Sequence, residues 1–267
     1  MSPQGVADGG SYNANILVLN PNSSKDMTET IETAIGAIPL SDSTSLEFYT
    51  APSAAPPSIN DGDDIAASTV AVLADGWWDT GNERSFAGML VACYSVHPLV
   101  GQLRQKQSRP VVTGIFEASI LTALALLRGP GDKWGIVTTG KWWEEHLANG
   151  VLDFLGAPEK TDRTENSKFA GVESTGLNAS DFHHGVAPEV VNRKIRDATK
   201  RLLAKGNVTC IVMGCAGMAG MKAEIQKAAR EARGEEFVRK TLSVVDGVGA
   251  GILQLQTMIT QQRVLSM

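Results

Sequence analysis

Short β-rich runs alternate with helical stretches along most of the chain, and this alternation constrains the fold more than any other feature. Asn15–Leu19, Ser45–Thr50, Phe86–Ala92, Val111–Ile115, Lys133–Val137, Phe169–Ser174, Val208–Met213 and Leu242–Val245 read as strands. Asn15–Leu19 in particular reads as a buried strand. Helical stretches lie between them. Met27, Ile31, Ala34, Ile35 and Ile38 recur at helical spacing, Ile65–Trp78, Pro98–Gln107, Glu117–Arg128 and Trp142–Leu155 read as helices, and so do Glu189–Lys205, Met218–Arg233 and the segment after Asp246–Gly247. Ala51–Asp64 and Thr175–Pro188 read as loops. Strands alternating with helices predict an α/β fold with mostly parallel sheets and helices on both faces.

A coarse two-fold echo runs through this pattern. A strand followed by a polar turn opens each half, at Leu19-Asn20-Pro21 and at Val137-Thr138-Thr139. A later strand in each half ends at a cysteine. Two similar lobes with a cleft between them are the expected architecture. Residues 14–114 with 241–267 are assigned to the first lobe and 115–240 to the second. Residues 1–13, rich in Gly and Ser, are expected to form a disordered tail without the charged start and apolar stretch of a secretory signal.

A length of 267 residues is enough for one large domain or two small ones. The net charge of −5 argues against a sequence-independent nucleic-acid partner. No apolar run approaches the roughly 20 residues of a membrane helix. The three cysteines, Cys93, Cys210 and Cys215, are too few for a disulfide framework and fit a reducing, cytoplasmic setting. A small-molecule substrate and a homo-oligomeric assembly are expected, with no nucleic acid and no membrane.

Cys93 follows Gly88-Met89-Leu90-Val91-Ala92, and Cys215 follows Cys210-Ile211-Val212-Met213-Gly214. Each stands between an apolar strand and a turn toward a helix. Ligands of open α/β sheets bind at the carboxyl ends of strands. A helix N-terminus there is expected to lower a thiol's pKa. A thiol in that position serves as a base when ionised and as an acid when protonated. Inversion of a carbon centre needs one of each on opposite faces of a planar intermediate. Cysteine is also a common buried residue that packs like a small hydrophobe. Two of them at equivalent strand ends weaken that explanation, whereas mid-strand Cys210 fits it well.

Other motifs are less specific. The glycine-rich turns at 214–220 and 246–251 lack the spacing of a dinucleotide fingerprint, and no phosphate-binding G-x-x-x-x-G-K-[ST] occurs. They serve either close backbone approach to a small ligand or helix–strand packing. His97, His146, His183 and His184 match no zinc spacing. His183–His184 reads as a solvated pair. His97 lies near Cys93 and raises the alternative of a Cys–His hydrolase. Trp77–Trp78 and Trp142–Trp143 read as packing residues, with Trp142 placed to wall a pocket.

Asn20-Pro21-Asn22-Ser23-Ser24, Ala92-Cys93-Tyr94-Ser95 and Gly214-Cys215-Ala216-Gly217-Met218 together resemble the hydantoin racemase family of the Asp/Glu/hydantoin racemase superfamily. Gly114-Ile115-Phe116-Glu117-Ala118 and Gly135-Ile136-Val137-Thr138-Thr139 also match family segments. The segment Cys93 to Val100 and the stretch Phe48-Tyr49-Thr50 … Pro56-Pro57 are similar to a fungal subgroup related to the yeast nitrogen-regulated hydantoin/allantoin racemase homologue. The resemblance spans nearly the whole chain after its first residues. It implies two pseudo-symmetric Rossmann-like lobes with the site between them, no metal and no other cofactor. It implies that Cys93 and Cys215 are the acid/base pair, and that Asn20, Ser23, Ser95, Thr138 and Ala216 line the substrate pocket. The implied reaction is racemisation of 5-substituted hydantoins or allantoin. Another carbanion reaction on the same scaffold, or a ligand-binding homologue without catalysis, are the alternatives. Val96 stands where many relatives carry an aspartate, which leaves the substrate open.

Overall fold

A computed structural model describes residues 14–36, 38–76, 86–106, 110–157, 168–182 and 185–266. The expected tail, the Trp77–Trp78 pair and the His183–His184 pair lie outside the described residues.

The first sheet contains β1 (Ala14–Asn20), β2 (Thr44–Thr50), β3 (Gly88–Val91) and β4 (Val111–Gly114) in the order β2-β1-β3-β4. The second contains β5 (Lys133–Thr138), β6 (Phe169–Ser174), β7 (Val208–Gly214) and β8 (Ser243–Asp246) in the order β6-β5-β7-β8. All neighbouring strands in both sheets are parallel. The two orders are the same, so the echo in the sequence is a repeat of topology. β7 is buried along its whole length, which explains why its sequence is apolar on both faces, Thr209 excepted, rather than alternating.

The helices are α1 (Lys25–Gly36), α2 (Gly62–Asp75), α3 (Pro98–Lys106), α4 (Ile115–Leu126), α5 (Trp142–Phe154), α6 (Pro188–Leu203), α7 (Lys222–Arg233), α8 (Glu235–Lys240) and α9 (Gly247–Leu265). α2 starts inside the segment expected to be loop, because Asp61 caps it by accepting the Asp64 N–H at 3.0 Å. The helix expected from Met218 is a short 3-10 turn at Ala216–Met218 followed by α7. α8 was not expected.

One hydrophobic core joins the two sheets. Ile16, Val18 and Leu90 of the first and Ile136, Cys210 and Val212 of the second share it with Ile115, Phe116, Ile120, Ile252 and Leu255 from α4 and α9. Separate apolar clusters cover the outer face of each sheet. The C-terminal segment, assigned as a whole to the first lobe, serves both. β8 pairs with β7 in the second sheet, whereas α9 packs back on β3, β4 and α4. In the 246–251 turn Asp246 caps α9 by accepting the N–H groups of Val248 and Gly249. Gly251 lies so close to the sheet that a Cβ there would come within 2.6 Å of Leu90, so packing accounts for that turn.

Candidate active site

The carboxyl ends of β1, β3, β5 and β7 converge on one cleft, as expected for ligand sites of parallel α/β sheets. The cleft holds about 400 Å³ of empty space, its mouth included. Cys93 enters it just beyond β3 and Cys215 just beyond β7, so each sheet contributes one thiol from its third strand. Asn22 and Thr139 add polar groups, one from each half. Met27, Ile59, Tyr94, Trp143 and Ala179 form apolar walls. Among the described residues no Asp, Glu, Lys, Arg or His side chain lines this cleft. Nor, among the described residues, do three His, Cys, Asp or Glu side chains come together as a metal ion would require.

Both thiols are held by their own turns. The Ser95 hydroxyl donates to Cys93 Sγ at 3.4 Å, and the Gly217 N–H donates to Cys215 Sγ at 3.3 Å. These contacts favour the thiolates, but burial outweighs them. Burial pushes Cys93 up to about 12, opposed by Ser95 and reinforced by the nearness of Cys215. Burial likewise pushes Cys215 up to about 11, opposed by the Gly217 and Met218 N–H groups. This corrects the expectation that helix N-termini would lower both. α3 begins only at Pro98, and Cys215 is followed by a 3-10 turn too short to carry an appreciable dipole. Cys210 is 1% exposed within β7 and does not reach the cleft.

Of the five residues expected to line the pocket, Ala216 is in the cleft wall, and Asn20, Ser23, Ser95 and Thr138 stand behind it. Asn20 is buried, and its Nδ2, with two hydrogens, lies within hydrogen-bond distance of three acceptors, Asn22 Oδ1, the Ser24 carbonyl and Thr28 Oγ1. Ser23 ties the Pro-rich segment down, its Oγ donating to the Ala55 carbonyl at 2.9 Å and its N–H to Pro56 O at 3.0 Å. That segment brings Ile59 to the cleft. The Thr138 hydroxyl donates to the Gly214 carbonyl at 2.8 Å, fixing the β7 end that carries Cys215. Four of these polar residues thus hold wall residues in place.

Trp142 is 42% exposed and stacks on His146, with centroids 4.5 Å apart; its neighbour Trp143 walls the cleft. His97 does not pair with Cys93. The Leu99 N–H donates to its Nδ1 at 3.3 Å, and its Nε2 lies 3.1 Å from Ser68 Oγ. Ser68 uses its own proton on the Ile65 carbonyl, so Nε2 carries hydrogen and donates to it. Burial pulls His97 down to about 4. A Cys–His hydrolase arrangement is therefore absent among the described residues. Val96 packs with Cγ2 against Gly150 of α5 rather than facing the cleft. Reasoning from sequence missed Asn22, Thr139, Met27, Ile59 and Ala179. Only Asn22 and Thr139 carried a signal, as polar neighbours of the strand-end residues that were singled out.

The family model for Asp/Glu/Hydantoin racemase matches residues 16–255. A protein of Schizosaccharomyces pombe is 34% identical over 91% of both chains. Protein DCG1 of Saccharomyces cerevisiae is 28% identical over 91% of this chain and 96% of its own. A hydantoin racemase of a Pseudomonas species is 26% identical over 91% of this chain and 85% of its own. Among solved structures, allantoin racemase from Klebsiella pneumoniae superposes with a TM-score of 0.70 at 26% identity, covering 93% of this chain and 89% of that one. Allantoin racemase from Pseudomonas fluorescens has the same fold, with a TM-score of 0.72 at 23% identity over 93% and 92% of the two chains. The chain belongs to the Asp/Glu/hydantoin racemase family of isomerases.

Proposed function

We propose that the protein racemises 5-substituted hydantoins or allantoin by a two-base mechanism that uses Cys93 and Cys215. One observation carries this: two thiols from equivalent strands reach a single cleft, and among the described residues its walls hold no Asp, Glu, Lys, Arg or His side chain. An uncharged cleft also suits a neutral cyclic amide better than an amino acid, whose carboxylate and ammonium would be left without partners. One cysteine, as thiolate, takes the proton from the carbon next to the carbonyl. The C–H electron pair forms the carbon–carbon double bond of the enolate, and the carbonyl pair moves onto oxygen. The other thiol then gives its proton to the opposite face and becomes the thiolate. The two cysteines exchange roles with the handedness of the substrate. The high proton affinity that burial confers makes each thiolate a strong base, at the cost of a small ionised fraction at neutral pH.

The test uses single enantiomers of allantoin and of 5-substituted hydantoins in heavy water. The expected result is loss of optical activity together with deuterium at the inverted carbon. Cys93→Ser and Cys215→Ser should each lose inversion by about 10²–10⁴-fold, the usual contribution of a positioned acid or base. Each should still exchange the proton of one enantiomer, with opposite preferences. Equal exchange of both enantiomers by one single variant, above a protein-free control, would rule out two one-face bases.

A further inference from the structure

We infer that the Asn22 side-chain amide is the donor that holds the enolate oxygen, and that Asn20 sets which end of that amide faces the cleft. This rests on the racemase reading above. Asn22 lines the cleft and is otherwise buried. Its Oδ1 accepts from Asn20 Nδ2 at 3.0 Å and from the Ser24 N–H at 2.9 Å. The Ser24 N–H takes one lone pair of that oxygen, and the other faces Asn20 Nδ2, whose two hydrogens are shared among Asn22 Oδ1, the Ser24 carbonyl and Thr28 Oγ1. The acceptor end is turned into the protein, and the NH₂ end is left for the cleft.

Groups of fixed polarity dictate this orientation. The Ser24 N–H can only donate, so it requires oxygen at that end of Asn22. Asn20 is equally constrained. Its Oδ1 accepts the Asn22 N–H at 3.2 Å, which can only donate, and its Nδ2 meets the Ser24 carbonyl at 3.1 Å, which can only accept. Exchanging the two ends of Asn20 would set donor against donor and acceptor against acceptor. Asn20 Nδ2 also meets Thr28 Oγ1 at 3.0 Å, and Thr28 lies 2.6 Å from Thr50 Oγ1. The network therefore anchors the amide to β1, α1 and β2 before any substrate arrives. Charge develops on the enolate oxygen as the proton leaves, and a donor preorganised in this way stabilises that state more than the neutral carbonyl.

The deciding comparison is Asn22→Asp against Asn22→Ala, with the same enantiomer panel as probe and kcat and KM measured separately. Aspartate keeps an acceptor for Asn20 and Ser24 but presents an anion to the enolate. Asn22→Ala should lower kcat about a hundredfold, as loss of one such donor does, with KM changed much less. Asn22→Asp should be slower still, although its thermal midpoint stays nearer that of the wild type. A purely structural asparagine gives the reverse order, so a faster Asn22→Asp overturns the proposal, as does an Asn22→Ala enzyme within threefold of wild type. Asn20→Asp should lower kcat in the wild-type background and add no further loss to Asn22→Ala; Asn20→Ala serves the same comparison if the aspartate variant does not fold. Equal losses in both backgrounds overturn the role of Asn20. A wild-type protein inert toward the whole panel sinks the racemase reading and this one with it. An active wild type with an unaffected Asn22→Ala sinks this one alone.

Discussion

Cys93 and Cys215 meet at one cleft from topologically equivalent strands, each the third in its four-stranded parallel sheet. Among the described residues neither thiol has a charged partner in the cleft wall. Their proton affinities are governed by burial and by hydrogen bonds from Ser95 and from the Gly217 turn. This arrangement leads to four expectations beyond those given above.

The resting thiols should be slow to alkylate. A raised pKa keeps the neutral form to higher pH, and only the thiolate attacks iodoacetamide. With values pushed up to about 12 and about 11, labelling of Cys93 and Cys215 should still climb roughly tenfold per pH unit between about pH 8 and 10. Site-resolved mass spectrometry measures this. A plateau near the ordinary thiol value of about 8.5 would show that the cleft does not desolvate them.

Cys210 should matter to stability and not to turnover. It is 1% exposed in β7, beside Trp134 and Ser243 in the neighbouring strands. Cys210→Ala should cost about 1 kcal/mol in denaturant unfolding, as small buried truncations do. Racemisation should be retained. Loss of turnover as deep as that of Cys215→Ala, in a folded protein, would mean that the wrong thiol has been assigned.

His97 should make the fold acid-sensitive. Its folded value is depressed from 6.5 to about 4 by burial, so the folded state resists taking a proton that the unfolded chain accepts. Its contribution is present above about pH 6.5 and is lost as pH falls toward 4. At pH 4.5 the loss amounts to about 2–3 kcal/mol at 1.36 kcal/mol per pKa unit. Urea unfolding at pH 7 and 4.5 should show His97→Gln losing less stability than wild type by about that amount. Equal losses would contradict it.

Gly150 should tolerate a side chain only if Val96 shrinks. A Cβ at 150 would lie 2.3 Å from Val96 Cγ2 and 3.1 Å from Phe116 Cζ. Overpacking costs about 1–3 kcal/mol, whereas alanine gains about 1 kcal/mol over glycine inside a helix. Gly150→Ala should be destabilised, and adding Val96→Ala should restore stability. If the two changes simply add as separate losses, the turn after Cys93 does not press on α5.

The strands and their two-fold repeat are legible in the sequence alone, because buried strands announce themselves as apolar runs and turns by their polar punctuation. Cys93 and Cys215 could be singled out for the same reason, since the end of an apolar run is a local property. Family likeness extended that reading to Asn20, Ser23, Ser95 and Thr138, which carry polar groups beside the strand ends. Which member of an adjacent pair faces a cleft is not local. Asn22 rather than Asn20, and Trp143 rather than Trp142, reach the wall, whereas Asn20 is engaged by Thr28 of α1 and Trp142 lies beside Gly62 at the start of α2. The same holds for β8, which pairs with β7 although the helix that follows returns to the other sheet. The proton affinities depend on more distant choices still. A dipole argument from the residues next to each cysteine predicts a lowered pKa, and desolvation by walls drawn from the turn after β1, α1, α5 and the Ile59 loop reverses the sign. Periodicity and turn chemistry act over a few residues and can be read along the chain; burial sums over neighbours distant in sequence, so the orientation of the wall and the charge state of its thiols emerge only when the lobes close on one another.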